Sequence, residues 1–253
     1  MTDTSDARTP LTRRAVLAAT GATAAALAVG AAGRNEAPAE PADTVPVAAA
    51  VCTLTKEMTE GPYYLDGQYV RADITEGKPG IPLKLALTVV DDDTCAPLPN
   101  ALVEVWHADH LGEYSGFVGA NGHTEPDDGT FLRGGVLTNS SGLANITTIY
   151  PGWYVGRCIH IHIKVHTNVT LTPDGSFTGG QELHTGQLYF SETITTRVSS
   201  LSPYSANRVT RTTLARDSVY DGGGAASGLL TLTALGGSTS SGYAGTLTLG
   251  VER

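Results

Sequence analysis

The sequence predicts an all-β protein built as a β-sandwich, and three observations support this fold class. The segment 83–90 places every second apolar side chain on one face, which is the period of a half-buried strand. Further short segments rich in leucine and β-branched residues follow, separated by turns of Gly, Asn, Asp and Pro. No segment has the long 3.6-residue period of an amphipathic helix. The expected architecture is an immunoglobulin/transthyretin-like sandwich with long loops that carry the functional site.

The predicted strands follow the chain in order from this first segment. After a turn at 91–100, a strand at 101–107 leads into a Gly-containing loop. The strands 131–138 and 144–150 are predicted to form a hairpin around Asn139–Gly142. The remaining predicted strands are 159–166, 187–192, 228–235 and 243–251.

The first 50 residues have the composition of a targeting region rather than of a folded domain. Arg13 and Arg14 precede an uncharged, Ala-rich run, so residues 1–33 are predicted to be a Tat-type signal peptide and the mature protein to be secreted. A membrane anchor is the weaker interpretation, because the run is rich in Ala and Gly. Residues 34–50 are Pro-, Ala- and acid-rich and are predicted to be a disordered linker. One domain is expected at 51–253.

The charge of the chain limits the classes of partner. The net charge is −9, from 16 basic and 25 acidic residues. Such a surface would repel a phosphate backbone, so no nucleic-acid partner is expected. The mature form is not expected to associate with a membrane. The sequence leaves the oligomeric state open.

The segment 159–166 carries a His-x-His pattern with metal-binding spacing. Alternate side chains of a strand share a face, so His160 and His162 would project together, about 6.6 Å apart. The alternative is that both are polar residues on the solvent side of an amphipathic strand. His166 lies roughly 13 Å beyond His162 and should not join the same coordination sphere.

Two tyrosines in turn-rich segments add oxygen donors to this pattern. Tyr154 ends an aromatic Pro/Gly turn at 150–154, just before the histidine strand, and this turn would direct its phenol back toward the strand. Tyr114 lies in a Gly-containing loop that directly follows the strand 101–107.

Together these residues resemble the intradiol dioxygenases, especially their secreted, short-chain branch. The segments that carry the resemblance span most of the predicted domain in the expected order: 59–64 (TEGPYY), 105–108 (VWHA), 112–115 (GEYS), 131–134 (FLRG), 150–154 (YPGWY) and 160–162 (HIH).

The resemblance implies one non-haem Fe(III) per chain, held by Tyr114, Tyr154, His160 and His162. It implies that Tyr154 also acts as base and leaving ligand, and that Arg157 stabilises negative charge on the substrate ring. The implied reaction inserts both atoms of O2 into a catechol-type ring to give a cis,cis-muconate-type product, in extracellular catabolism of aromatic or lignin-derived compounds. A ferric ion prefers hard anionic oxygen, and two phenolates with one hydroxide would cancel its charge.

The resemblance also bears on the entrance of the site and on the cysteines. Tyr63 or Tyr64 would contact the substrate ring, with ordinary packing as the equal alternative. The family often has Pro where this chain has Cys158, and the loop after Tyr154 is shorter than in the cytoplasmic enzymes, so a more open site for bulkier catechols is expected. Any two of the three cysteines could pair after export, and Cys52 with Cys95 is favoured because Cys158 lies beside the predicted ligands.

Two other classes of protein fit part of the pattern. A copper- or zinc-binding sandwich would also use His-x-His, with His107 and His123 as further candidate ligands, but it leaves the two tyrosines unexplained. A transthyretin-like structural or binding module would account for the segment 97–103, and it has no need for tyrosines and histidines at one end of the sandwich.

Overall fold

The computed structural model describes residues 52–66, 69–117, 129–223 and 225–253. All of them belong to one compact unit. The predicted signal peptide at 1–33 and the predicted linker at 34–50 lie outside the described residues. Within the described ranges, no helix combines the length and the apolar character needed to cross a lipid bilayer.

Strands dominate the described elements, and the helices are short. The strands are β1 Pro82–Asp91, β2 Leu102–Trp106, β3 Arg133–Leu137, β4 Leu143–Ile149, β5 His160–Thr167, β6 Thr170–Leu171, β7 Phe177–Thr178, β8 Gln181–Tyr189, β9 Thr231–Ala234 and β10 Tyr243–Val251. The helices are α1 Glu192–Ser199 and α2 Ser218–Gly223, with 3-10 turns at Tyr204–Ala206, Leu214–Arg216, Ala225–Gly228 and Thr239–Ser241.

Two four-stranded sheets form the body of the domain. The first sheet has the order β4-β1-β10-β9, in which β1 and β10 run parallel, and the second has the order β3-β2-β5-β8, in which all neighbours are antiparallel. The strands β6 and β7 form a separate two-stranded ribbon.

One hydrophobic core joins the two sheets. Alternate residues of β1, from Leu83 to Val89, lie in the same buried cluster as Val103 and Val105 of β2 and Ile161 and Ile163 of β5. Burial of apolar side chains from both sheets removes them from water and is the main force that holds such a sandwich together. The all-β prediction is confirmed.

Two predictions about the strands are wrong. The segments 131–138 and 144–150 do not form a hairpin, because β3 pairs with β2 in the second sheet and β4 pairs with β1 in the first. Thr138 directly follows β3, its hydroxyl donates to the carbonyl oxygen of Leu98, and the turn after it carries the chain across to the other sheet. The predicted strand 187–192 is the end of β8, which begins at Gln181, and the start of α1.

The cysteines pair as favoured from the sequence. Cys52 and Cys95 form a disulfide, and Cys158 is a buried free thiol. The disulfide fixes the start of the described chain beside the turn after β1. From there the chain follows β10 and then reaches β8, where the N–H of Met58 donates to the carbonyl oxygen of Thr185.

Candidate metal centre

The two histidines of β5 lie on the face of the second sheet that points away from the core. The isoleucines at 159, 161 and 163 belong to the core cluster, so His160 and His162 project to the opposite side. This side is covered as well, since the two histidines are only 3% and 1% exposed. The alternative of solvent-side polar residues is therefore wrong, because loops and the segment before β1 close over the sheet.

A row of side chains crosses the four strands beside these histidines. Backbone pairing places Arg133, Trp106, His162 and Gln187 next to one another on β3, β2, β5 and β8. The indole of Trp106 stacks on the His162 ring, with centroids 4.9 Å apart and planes at 6°. Trp106 therefore fixes the plane of a predicted ligand.

The loop after β2 brings Tyr114 to the same end of the sheet. The carboxylate of Asp109 accepts hydrogen bonds from two backbone N–H groups of this loop, at 2.9 and 3.1 Å, and so closes the turn. Gly112 has a φ of +92°, and a Cβ there would lie 2.2 Å from the carbonyl oxygen of Trp153. Glycine is required at this point because the loops of Tyr114 and Tyr154 touch there.

The four predicted ligands converge. The Oη of Tyr154 lies 3.3 Å from Nε2 of His160, and Nε2 of His160 lies 3.1 Å from Nε2 of His162. The Tyr114 ring is 5.8 Å from the Tyr154 ring and 6.0 Å from the His162 ring, between centroids. Two phenols and two imidazoles thus surround one small volume. Their role as metal ligands stays a prediction.

The donor atoms fit a cation. Nδ1 of His160 donates to the carbonyl oxygen of Cys158 at 2.7 Å, which leaves a lone pair on Nε2 facing the centre of the group. The buried hydroxyl of Tyr114 has no partner at hydrogen-bond geometry among the described residues. A buried polar atom of this kind costs free energy unless something pairs with it. A hard cation could be coordinated by both Nε2 of His160 and the phenol oxygen of Tyr114.

The pKa values of these four side chains in the folded protein without a metal show which protonation states a bound cation would have to change. Burial lowers the pKa of His160 to about 3. Burial is also the largest cause that holds the pKa of His162 well below its usual value, and electrostatic repulsion between the two imidazoles, were both protonated, is the second. Both imidazoles are therefore neutral at pH 7, the form in which an imidazole can bind a metal. Burial raises the pKa of Tyr154 to about 12, although Arg157 opposes it, and burial raises the pKa of Tyr114 well above 10. Only a strong Lewis acid would ionise these phenols at neutral pH.

Arg157 is held beside the centre by two residues that the sequence analysis missed. Its Nε lies 3.0 Å from Oδ2 of Asp217, and its Nη2 donates to Oε1 of Gln187 at 2.5 Å. Asp217 is fully buried and also accepts the backbone N–H of Cys158 at 2.7 Å. Gln187 could have been found only from the register of β8 against β5, and nothing in the sequence connects Asp217 to this site.

The two candidate substrate residues have different surroundings. The Tyr63 ring stacks on Tyr114, with centroids 4.5 Å apart, and meets the Tyr154 ring edge-on at 5.9 Å. The Tyr64 ring packs instead on Trp106, at 5.0 Å. Tyr63 therefore lines the space beside the predicted ligands, whereas Tyr64 packs behind them.

Two of the other histidines, His107 and His166, have partners of their own. Nε2 of His107 lies 2.7 Å from the hydroxyl of Thr148, and Nε2 of His166 lies 2.9 Å from Glu104, away from the ligand group. Across the part of the chain that the structure describes, no three His, Cys, Asp or Glu side chains are grouped to hold a metal ion. His123, the other candidate ligand of a copper or zinc site, lies outside the described residues.

Comparisons with known proteins identify the family of the chain. The family model described as "Dioxygenase" matches residues 59–191. Catechol 1,2-dioxygenase of Acinetobacter baylyi is 35% identical over 105 residues, which are 40% of this chain and 32% of that protein. The chain thus spans about a third of the length of the curated relatives that it matches.

Solved structures extend the similarity over most of the chain. An intradiol ring-cleavage dioxygenase from Tetranychus urticae is 32% identical, with a TM-score of 0.69, and the match covers 79% of this chain and 95% of that one. The dioxygenase domain of a carbohydrate-binding fusion protein from Streptomyces sp. SirexAA-E is 25% identical, with a TM-score of 0.51 over 79% and 99% of the two chains.

Proposed function

The chain belongs to the intradiol ring-cleavage dioxygenase family, and on this premise we propose that it is an iron(III)-dependent oxidoreductase that cleaves catechol-type rings. Both atoms of O2 would enter the substrate, and the product would be a cis,cis-muconate-type diacid. One observation carries the proposal, namely the convergence of Tyr114, Tyr154, His160 and His162 in one buried group. One Fe(III) per chain would be held by these four residues.

The bound iron would supply the Lewis acidity that ionises the phenols and the catechol, and would make the ring reactive toward dioxygen. The residues of the chain supply binding and proton transfer. Tyr154 is the ligand that would accept a catechol proton, since its side chain is partly exposed and its Oη lies 3.3 Å from Nε2 of His160. Tyr114, 1% exposed, would stay in place.

Arg157 would stabilise negative charge on the ring. Its guanidinium is fixed by Asp217 and Gln187 on one side, and its positive charge acts on the phenol of Tyr154. A fixed charge needs no reorganisation when the substrate becomes anionic, which is how preorganised groups lower a barrier. Tyr63, beside both phenols, would form one wall of the ring-binding space.

We further propose that the site accepts bulky catechols. Val155, directly after Tyr154, is 72% exposed, so the rim of the site at this point faces solvent. A substituent that projects past Tyr154 would meet water and an apolar rim rather than a closed wall. The ratio of kcat/KM for a bulky 4-substituted catechol to that for catechol measures this, and a preference of more than about 100-fold for catechol would contradict an open rim.

Export by the Tat pathway remains part of the proposal, on the evidence of Arg13 and Arg14 and of the Ala-rich run. Replacement of both arginines by lysine should retain the protein inside the cell, as measured by cell fractionation. Unchanged secretion of the double variant would argue against Tat export.

Oxygen uptake with catechol, protocatechuate and hydroxyquinol, read together with product absorbance and iron content, tests the proposed reaction. We expect about one iron per chain, one O2 per ring and a cis,cis-muconate-type product. Extradiol products, or equal activity after chelation of the metal, would contradict it. The copper or zinc site and the structural module would leave the grouped phenols without a role.

A further inference from the structure

A short segment before β1 covers the predicted ligands. We call residues 59–64 the covering segment; it belongs to none of the described strands. Its Gly61 lies directly over His162, because a Cβ at position 61 would be 3.1 Å from Cε1 of that ring. Its Tyr63 stacks on Tyr114 at 4.5 Å. The position of this segment therefore determines the space next to two of the four predicted ligands.

A buried lysine attaches the covering segment to the sheet. Lys164 follows His162 on the same face of β5, and its side chain is only 7% exposed. Its Nζ lies 2.6 Å from a carboxylate oxygen of Glu60, in the covering segment, and 2.7 Å from one of Glu182, on β8. It also lies 4.2 Å from the centroid of the Tyr64 ring. One ammonium group thus joins β5, β8 and the covering segment.

A buried carboxylate provides a second attachment next to the first. Glu104 pairs with Lys164 in the register of β2 and β5 and is fully buried. Its Oε2 accepts a hydrogen bond from the Tyr64 hydroxyl at 3.4 Å and lies 2.9 Å from Nε2 of His166. Lys164 and Glu104, which lie next to each other beside the predicted ligands, therefore hold the end of the covering segment at the ring and at the hydroxyl of Tyr64.

We infer that Lys164 is a positioning residue, which acts through Glu60 and the Tyr64 ring to hold the covering segment against His162 and Tyr114. Lys164 is not one of the four predicted ligands, and its charge is paired with Glu60 and Glu182. Its loss would let the covering segment move away from the sheet, and Tyr63 would then no longer define one wall of the ring-binding space. The effect on substrate rests on the proposed function, whereas the attachment itself does not.

The two carboxylates around Lys164 provide a matched pair for the test. Glu60 and Glu182 are 41% and 44% exposed and lie at nearly equal distances from the same Nζ, but only Glu60 belongs to the covering segment. Hydrogen–deuterium exchange of the peptide that contains residues 58–64 is measured for Glu60→Gln, Glu182→Gln, Lys164→Met and the control Lys84→Met. Lys84 is an exposed lysine on β1 of the other sheet.

Glu60→Gln and Lys164→Met should each speed exchange in this peptide about threefold to fivefold, and the other two variants should leave it within about 1.5-fold of wild type. Glu60→Gln changes an exposed side chain, so it should remain folded even where Lys164→Met does not. Equal exchange in Glu60→Gln and Glu182→Gln, or unchanged exchange in both Glu60→Gln and Lys164→Met, would overturn the inference.

Steady-state kinetics with catechol distinguish positioning from a role in the chemistry. Lys164→Met should raise KM several-fold with a smaller change in kcat, and Lys164→Arg should restore most of the loss, because arginine can pair with both carboxylates. If the wild-type protein turns over no catechol, the proposed function fails while the exchange result still decides the attachment. A kcat that falls alone, without faster exchange, would contradict positioning.

Discussion

Asp217 is the residue whose replacement tests the construction of the site most directly. It is fully buried, far along the chain from the predicted ligands, and its carboxylate accepts hydrogen bonds from the Arg157 side chain and from the backbone N–H of Cys158. It also accepts the N–H of Val219 at 2.8 Å, at the start of α2. One carboxylate therefore connects the α2 segment to the strand start that carries His160.

The expected loss of stability follows from the groups that Asp217→Ala would leave unpaired. Breaking a buried ion pair by removing one partner costs about 3–5 kcal/mol. Arg157 is 15% exposed and keeps its bond to Gln187, so the lower end, about 3 kcal/mol, is expected. For a domain of about 200 residues this corresponds to a fall in Tm of roughly 6–12 °C. Asp217→Asn keeps an acceptor for the Cys158 N–H and should lose about half as much.

The pH dependence of this contribution has a definite sign. Burial alone would raise the pKa of Asp217, but hydrogen bonds from Cys158 and the charge of Arg157 lower it to about 2. The carboxyl group has a pKa near 3.9 in the unfolded chain. Because the folded pKa is the lower one, the stabilisation is fully present above about pH 4 and is lost as the pH falls toward 2. The difference in stability between wild type and Asp217→Asn should shrink over this window.

Urea unfolding at pH 7 without reductant, at a fixed metal content, measures these differences. Asp93→Asn is the control, since Asp93 is exposed and its replacement should change the free energy of unfolding by less than about 0.5 kcal/mol. A loss below about 1 kcal/mol for Asp217→Ala would refute the reasoning, because a buried charge cannot lose its partner at so small a cost. If the difference in the free energy of unfolding between wild type and Asp217→Asn becomes larger as the pH falls from 4 to 2, the pKa argument is refuted.

Three further predictions concern the loops, the phenols and the disulfide. Gly112→Ala should destabilise the protein by about 3 kcal/mol or more in thermal unfolding, because φ is +92° and the added Cβ would clash with a backbone oxygen. Gly77→Ala is the control: φ is +74°, the space around it is open, and the loss should be about 1 kcal/mol. Equal losses of stability in the two variants would contradict the loop contact. Tyr154→Phe should lower kcat at least about 100-fold and weaken the phenolate-to-iron absorption. The control Tyr69→Phe changes an exposed tyrosine and should leave both kcat and the absorption unchanged. An unaltered spectrum in Tyr154→Phe would remove Tyr154 from the ligand set. Reduction of the Cys52–Cys95 disulfide, which closes a loop of 43 residues, should lower stability in urea by about 4 kcal/mol, and no change would show that the loop ends are held by other contacts.

The elements that carry a strong local pattern could be predicted from the sequence. The alternation of β1 and β5 is visible in single segments, and the spacing of two between His160 and His162 fixes them on one face whatever the sheet order. The turn residues around Asn139–Gly142 were also correctly placed. Their partner strands were not, because a turn that joins two strands of one sheet and a turn that crosses between sheets use the same residue types.

The supporting residues could not be predicted, because each acts through a contact that only the folded chain creates. Asp217 lies 60 residues from Arg157, and Gln187 reaches the site only through the pairing of β8 with β5. The alternation of their strands predicts that Lys164 and Glu104 are polar residues on an outer face. Both are buried in the structure, where residues 59–64 cross that face. Period-two patterns identify the two faces of a strand but not what covers the second one.

The unequal burial of the two tyrosines gives a physical reason for dividing their roles. Tyr114 is held by three contacts, with Tyr63, with the buried guanidinium of Arg133, 5.8 Å from its ring centre, and through its loop at Gly112. Tyr154 is followed by an exposed valine and by Gly156, where an added Cβ would meet no atom within 4 Å. A ligand that must leave and return needs free space beside its backbone, and a ligand that must stay needs none. On this argument Tyr154 is the phenol that would give up its place to a catechol oxygen, and Tyr114 would be the phenol that keeps the proposed metal in position.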